Sequence, residues 1–240
     1  MECMFATILH EDPDVIPQFE GFMDRNASLK FSPRLTNIKN QTEKVVRRAK
    51  FLDRFTIGCG TGGFKAKVVE KQEQYRILEW ETGARWKMID NSVSSFTRKY
   101  IHYPIIRDED LDKLQLPDPD DPERYSGIKS KVKYYTDKGF FTACGINGFF
   151  AGVWYFLRPF NLWMRDLVSN RGFAKKIIDE LGEFNIKVAK NCLETGVHSI
   201  EWCDDLGYNK GMFISPETYE EIIYPWHRKL IHLAHKWSLC

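Results

Sequence analysis

Residues 139–150, GFFTACGINGFF, are apolar almost throughout and break at glycine, which predicts a buried strand, a turn and a helix start. The helix that follows, AGVWYFLRPF, is apolar nearly all round, and Pro159 should end or kink it. Ala174, Ile177, Ile178, Leu181, Val188, Ala189 and Cys192 recur at helical spacing and predict a helix over 171–194, stopped by Gly196. A second apolar run, VHSIEWC (197–203), reads as a strand and closes on two adjacent carboxylates, Asp204 and Asp205. Ser215 followed by Pro216 is a helix start, cap residue then first helical residue. Tyr219, Ile222, Ile223, Leu230, Leu233 and Trp237 give that last helix an apolar side, with a kink expected at Pro225. Strand, helix, strand, helix is the rhythm of a parallel sheet with helices outside it.

The earlier half is less regular. Residues 1–53 are polar and irregular, with a helix predicted over 42–52. RFTIGCGTGGF (54–64) reads as a short strand dissolving into glycines. Residues 65–90 alternate around Tyr75, Ile77 and Glu79 and turn at 81–83, which predicts a β-hairpin or meander outside the main sheet. A short helix near Asp108, Pro- and Asp-rich turns and a charged helix over about 122–137 follow. No internal repeat or low-complexity linker interrupts the chain, so 1–240 is read as one domain: an N-terminal segment 1–53, first strand plus hairpin 54–103, and β/α units 104–240.

A net charge of +2, with 28% charged residues, gives no basic run beyond KVVRRAKF (44–51) and argues against nucleic acid as a partner. No apolar stretch approaches the roughly 18–20 residues of a membrane span, and MECMFATILHEDPD is a poor signal peptide. Six cysteines without a CxxC spacing suggest reduced thiols and a cytoplasmic setting. Glycines 58–63 lack both phosphate-loop spacings. The chain stops at HKWSLC, after a helix and where the alternation calls for another strand, which reads as an interrupted barrel.

Parallel α/β proteins place their chemistry at the C-terminal ends of strands. Cys59, Asn147, Asp204 and Asp205 fall there. Asp204 and Asp205 point to opposite faces of an extended chain, so one can enter the mouth while the other braces the loop. They are read as catalytic, with Tyr208 donating a phenolic hydrogen bond; the competing reading is a solvated turn before Gly207. Asn147 can grip a carboxylate or carbonyl, or serve as a turn residue, and Phe149, Phe150, Trp202 and Glu201 join it as expected substrate-binding residues. Glu201, inside an apolar run, needs a partner if it is buried. His198 sits at the wrong strand end for chemistry and is read as structural. His227, His232 and His235 are read as solvated or helix-end residues, and Cys59, Cys144 and Cys203 as small buried apolar groups rather than metal ligands.

The stretches LPDPDDPERY, GINGFFAGVWYFLRPF and LGEFNIKVAKNCLETGVHSIEWCDDLGYNKGMFISPETYEEIIYPWH resemble the uroporphyrinogen decarboxylase superfamily, well over about 100–237 and loosely before it. DDLGY with the later ISP is the most specific piece. The resemblance implies a (β/α)8 TIM-type barrel, here incomplete at its C-terminal side and carrying an N-terminal hairpin extension. It implies either corrinoid-dependent methyl transfer or decarboxylation of a tetrapyrrole. The WxMRQAGR loop of the decarboxylase proper is missing; Arg25, Arg34, Arg47 and Arg48 lie in other settings, which favours methyl transfer. The His-x-Cys and distant Cys that bind zinc in the methyltransferase branch are also missing, so no metal ligand is assigned. Zinc and a corrinoid remain the cofactors expected of full-length relatives. The expected partners are a small substrate, a corrinoid protein and a second copy of the chain. A third reading is a barrel fragment that is inactive without a partner chain or further strands, because open sheet edges and bare helix faces need covering.

Overall fold

The computed structural model describes residues 2–17, 54–57, 63–89 and 97–237. The helix expected over 42–52, the arginines at 25, 34, 47 and 48, and Cys59 lie outside them. Helix α1 (Glu2–Ile8) comes first, then strand β1 (Arg54–Thr56). Strands β2 (Ala66–Lys71), β3 (Tyr75–Trp80), β4 (Arg85–Ile89) and β5 (Thr97–His102) form an antiparallel meander of their own, in sequence order. The alternation around Tyr75 therefore extends to four strands, not a hairpin alone. A 3-10 turn at Asp108–Lys113 and another at Pro122–Arg124 lead into α2 (Ile128–Thr136), so the charged helix begins later than the sequence pattern suggests. Gly127, at φ 74°, accounts for the late start: its left-handed backbone separates the turn from the helix.

The functional layer is β6 (Phe141–Asn147), α3 (Phe150–Phe156), α4 (Phe160–Ser169), α5 (Arg171–Glu194) and β7 (Ser199–Cys203). Strands β1, β6 and β7 pair in parallel with β6 central. A two-stranded ribbon, β8 (Gly207–Tyr208) and β9 (Gly211–Met212), follows the Asp pair. The last helix, α6, is assembled from Pro216–Thr218, a π turn at Tyr219–Ile223, and Tyr224–Trp237. Ser215 caps it, its hydroxyl accepting from Thr218 N–H. The irregularity expected at Pro225 takes the form of that π turn. Proline lacks an N–H and its ring crowds the preceding turn, and the wider turn accommodates both. Pro159 ends α3 and sits just before α4.

The fold is mixed α/β, and the strands among the described residues do not close into a barrel. No helix among them is long and apolar enough to cross a membrane. All seven periodic positions of α5 are buried. The meander joins the helical layer through Trp80, Trp86 and Phe156, whose ring centroids lie 4.5–5.1 Å apart. Two polar bonds fix the same junction: Trp86 Nε1–H donates to the Tyr155 carbonyl (3.0 Å) and the Thr82 hydroxyl to the Phe156 carbonyl (3.0 Å).

His198 has a structural setting. Its Nδ1 accepts from Thr142 N–H (2.9 Å), and its ring stacks on Phe141. Burial holds its pKa below the ordinary histidine value. The unfolded chain therefore takes up the proton first as pH falls, so this contribution to stability is present above about pH 6.5 and is lost as pH drops through the depressed value. We expect Tm to fall between pH 7 and 5, and His198→Asn, whose Oδ1 can still accept from Thr142, to flatten that fall in a thermal-melt series.

Candidate functional site

The two aspartates part ways, as an extended chain requires. The Asp204 side chain is buried and accepts from three donors: Phe149 N–H (3.0 Å), Ala151 N–H (2.8 Å) and His227 Nε2 (2.8 Å). The two amides lie at the start of α3, Phe149 as its cap residue and Ala151 in its first turn, where helical N–H groups have no partner within the helix. A carboxylate there satisfies them and meets the positive end of the helix dipole. Gly148 makes the approach feasible: a Cβ on it would stand 2.2 Å from Asp204 Oδ1 and 2.3 Å from the Cys203 carbonyl.

His227 is 6% exposed, enclosed by Phe149, Trp202 and Tyr219. Its Nδ1 lies 3.0 Å from the Tyr219 hydroxyl. The expectation of a solvated histidine is thus overturned for His227: its neighbours are aromatic rings and a carboxylate, not water. Tyr219 and His227 are eight residues apart, which a plain helix would set about 80° apart around its axis. The π turn takes up the extra residue and brings them to one side.

Asp205 faces the other way. Its Oδ2 accepts from the Tyr155 hydroxyl (2.8 Å), and Cys203 Sγ lies 4.0 Å from Oδ1. Burial, and then the bond to Asp205, push the Tyr155 phenol above its ordinary pKa, so it acts as a donor. Burial followed by the two carboxylates raises Cys203 as well. Tyr100 stacks on Tyr155, and burial raises its pKa too. The Arg98 guanidinium lies 5.5 Å from the Trp86 ring and 5.7 Å from that of Tyr155. From Asp205 an aromatic ladder runs outward: Tyr155 to Trp154 (3.9 Å), Phe160 (5.5 Å), Phe213 (5.3 Å) and Tyr208 (5.2 Å).

Tyr208 is therefore at the rim, 51% exposed on the β8–β9 ribbon, and the phenol that bonds Asp205 is Tyr155. Phe149 and Phe150 are fully buried core residues, not lining, since neither ring exposes surface; Phe149 contributes its backbone N–H. Trp202 points toward the helices and tilts against His227 at 5.6 Å. Glu201 finds the partner it needs in Arg54, across from β1. Asn147 is buried, its carbonyl accepting from Asn185 Nδ2 (3.2 Å), while its own Nδ2 has no partner among the described residues. Sequence reasoning missed Tyr155, Tyr219, His227 and Arg98. The one available signal was the eight-residue Tyr219–His227 spacing, which brackets Pro225.

Cys203 and Asp205 make a pair, and both nitrogens of His227 are engaged. Among the described residues no group of three or more His, Cys, Asp or Glu side chains is placed to hold a metal ion. With Asp205 and both His227 nitrogens already engaged, these residues do not fit a zinc ion.

The family described as Uroporphyrinogen decarboxylase (URO-D) matches residues 86–237, more than half the chain. The chain belongs to the URO-D family. A solved structure of a methyltransferase from Methanosarcina mazei shares the fold, with TM-score 0.62 at 12% identity. The alignment covers 96% of this chain and 66% of that one, so the chain spans just under two-thirds of the length of that neighbour. No curated protein matches in sequence.

Proposed function

We propose that the chain is a methyltransferase-type member of the URO-D family, moving a methyl group between a small methylated compound and a corrinoid protein or a thiol, in the cytoplasm. The observation that carries this reading is the pair of Asp205, past the end of β7, with Tyr155 of α3, set in an aromatic ladder. A methyl group transferred between nucleophiles carries partial positive charge in flight, and a carboxylate beside ring faces stabilises such charge. A tetrapyrrole with several carboxylates calls instead for clustered cations, and among the described residues Arg98 is the cation found beside this pair. In full the fold would be a (β/α)8 barrel, closed by strands beyond the three parallel ones described, from this chain or a partner.

Tyr155 occupies Asp205 Oδ2, which leaves Oδ1 toward Cys203 and the mouth. That oxygen is placed to take the proton of an incoming thiol as sulfur attacks the methyl carbon. The corrin ring would rest on the rim, on Phe160, Tyr208 and Met212, each at least 36% exposed. When bound it supplies a cobalt-held methyl that leaves without its bonding electrons.

The test mixes the chain with methylcobalamin and a panel of small thiols, following thioether by mass. Asp205→Asn should lower the rate about 100-fold or more, the size of effect expected when a positioned base is lost. Carbon dioxide release from a porphyrinogen, with no thioether, would instead establish the decarboxylase reading. Activity only after a partner chain is added would favour the fragment reading.

A further inference from the structure

We propose that His227 is a positioning residue: with Tyr219 it holds Asp204 against the first turn of α3, and thereby sets the Tyr155 hydroxyl on the Asp205 carboxylate. The inference deepens the proposed function, since it takes Asp205 as the working carboxylate, but its geometry stands apart from any reaction. Ala151 and Tyr155 are four residues apart, so they share one face of α3. Asp204 holds the Ala151 amide, and one turn later the neighbouring Asp205 meets the Tyr155 hydroxyl. Two consecutive residues of one strand end thus grip two consecutive turns of one short helix. A helix of seven residues has little length over which to bend, so its first turn fixes the rest.

The chemistry of the chain of bonds allows one arrangement with a neutral ring. A carboxylate only accepts, so His227 Nε2 carries the hydrogen and Nδ1 accepts from Tyr219. Asp204 is thereby held from two sides, by α3 amides and by α6, and cannot swing without leaving a buried donor unmet. The far end of α3 is tied separately, through Trp86 and Thr82 on the meander. This second tie does not by itself place the Tyr155 hydroxyl.

The test uses the full chain with ring-labelled tyrosine and no substrate, and Tyr155→Phe assigns the Tyr155 signal by NMR. In His227→Ala the Tyr155 resonance should move toward the position it takes in Asp205→Ala. His227→Gln, whose amide can donate where Nε2 did, should return it toward wild type. His198→Ala, a destabilising change elsewhere, should leave it in place. Should His227→Ala fail to fold, Tyr219→Phe removes one hydroxyl and should shift the signal in the same direction. Imidazole nitrogen shifts should report the Nε2–H form for His227. An unmoved Tyr155 in the folded His227 or Tyr219 variant, equal movement in His198→Ala, or an Nδ1–H tautomer overturns the proposal. None of these readouts depends on methyl transfer, so a failed activity assay leaves the positioning test standing.

Discussion

Asp166→Ala is expected to destabilise the chain by about 3–5 kcal/mol, the cost of stripping a buried ion pair of one partner. Arg158 and Asp166 are both fully buried and bonded Nε to Oδ2. Arg158 also donates from Nη1 to the Ile106 carbonyl (3.3 Å), lies 3.5 Å from the Asp108 carboxylate and sits 4.9 Å from the Phe173 ring. It therefore ties the 108–113 turn, α4 and α5 into one unit. Without Asp166 the guanidinium keeps its desolvation and loses its main counter-charge. Native domains are stable by only about 5–15 kcal/mol, so the loss is a large fraction of the total. Urea unfolding measures it. The double variant Arg158→Met with Asp166→Leu should recover much of the loss, because the uncompensated charge goes with its partner. A double variant as unstable as Asp166→Ala would show that packing, not charge, sets the cost.

Gly148→Ala should cost about 3 kcal/mol, the upper range for overpacking in a site that cannot yield. The added Cβ would meet Asp204 Oδ1 and the Cys203 carbonyl well inside contact distance. Neither is the loose end of a flexible side chain: one oxygen is held by the Ala151 amide and the other is backbone. Either the Asp204 contacts or the β7 end must give. Gly172→Ala serves as the comparison, since a Cβ there meets nothing within 4 Å and the residue lies inside α5. It should be neutral or stabilise by about 0.5 kcal/mol through the unfolded state. Equal losses in the two would sink the steric account.

The parallel β/α layer was legible because its signals are local. The seven apolar positions of α5, the Ser215–Pro216 start and the apolar run of β6 each decide their element within that element's own length. The division of labour between Asp204 and Asp205 followed from strand alternation alone. What joins them to the rest did not. Asp204 meets His227 across 23 residues and Asp205 meets Tyr155 across 50, and no spacing rule links positions that only tertiary packing brings together. Phe149 and Phe150 misled because apolar residues beside a glycine turn serve core and pocket equally well. Composition does not distinguish them; burial does.

The π turn has a consequence for how relatives of this chain are to be compared. It amounts to one inserted residue, so the helix on its two sides runs in two phases. Before it, the phase is set by the Ser215 cap and by Thr218, which accepts from Arg171. After it, the phase is set by Trp226, whose ring lies so close over Gly182 that a Cβ there would stand 2.4 Å away. A homologue lacking that residue can keep one docking or the other in register, but not both. A one-residue gap at 219–223 in an aligned sequence would therefore mark a protein in which something other than the Tyr219–His227 couple faces Asp204.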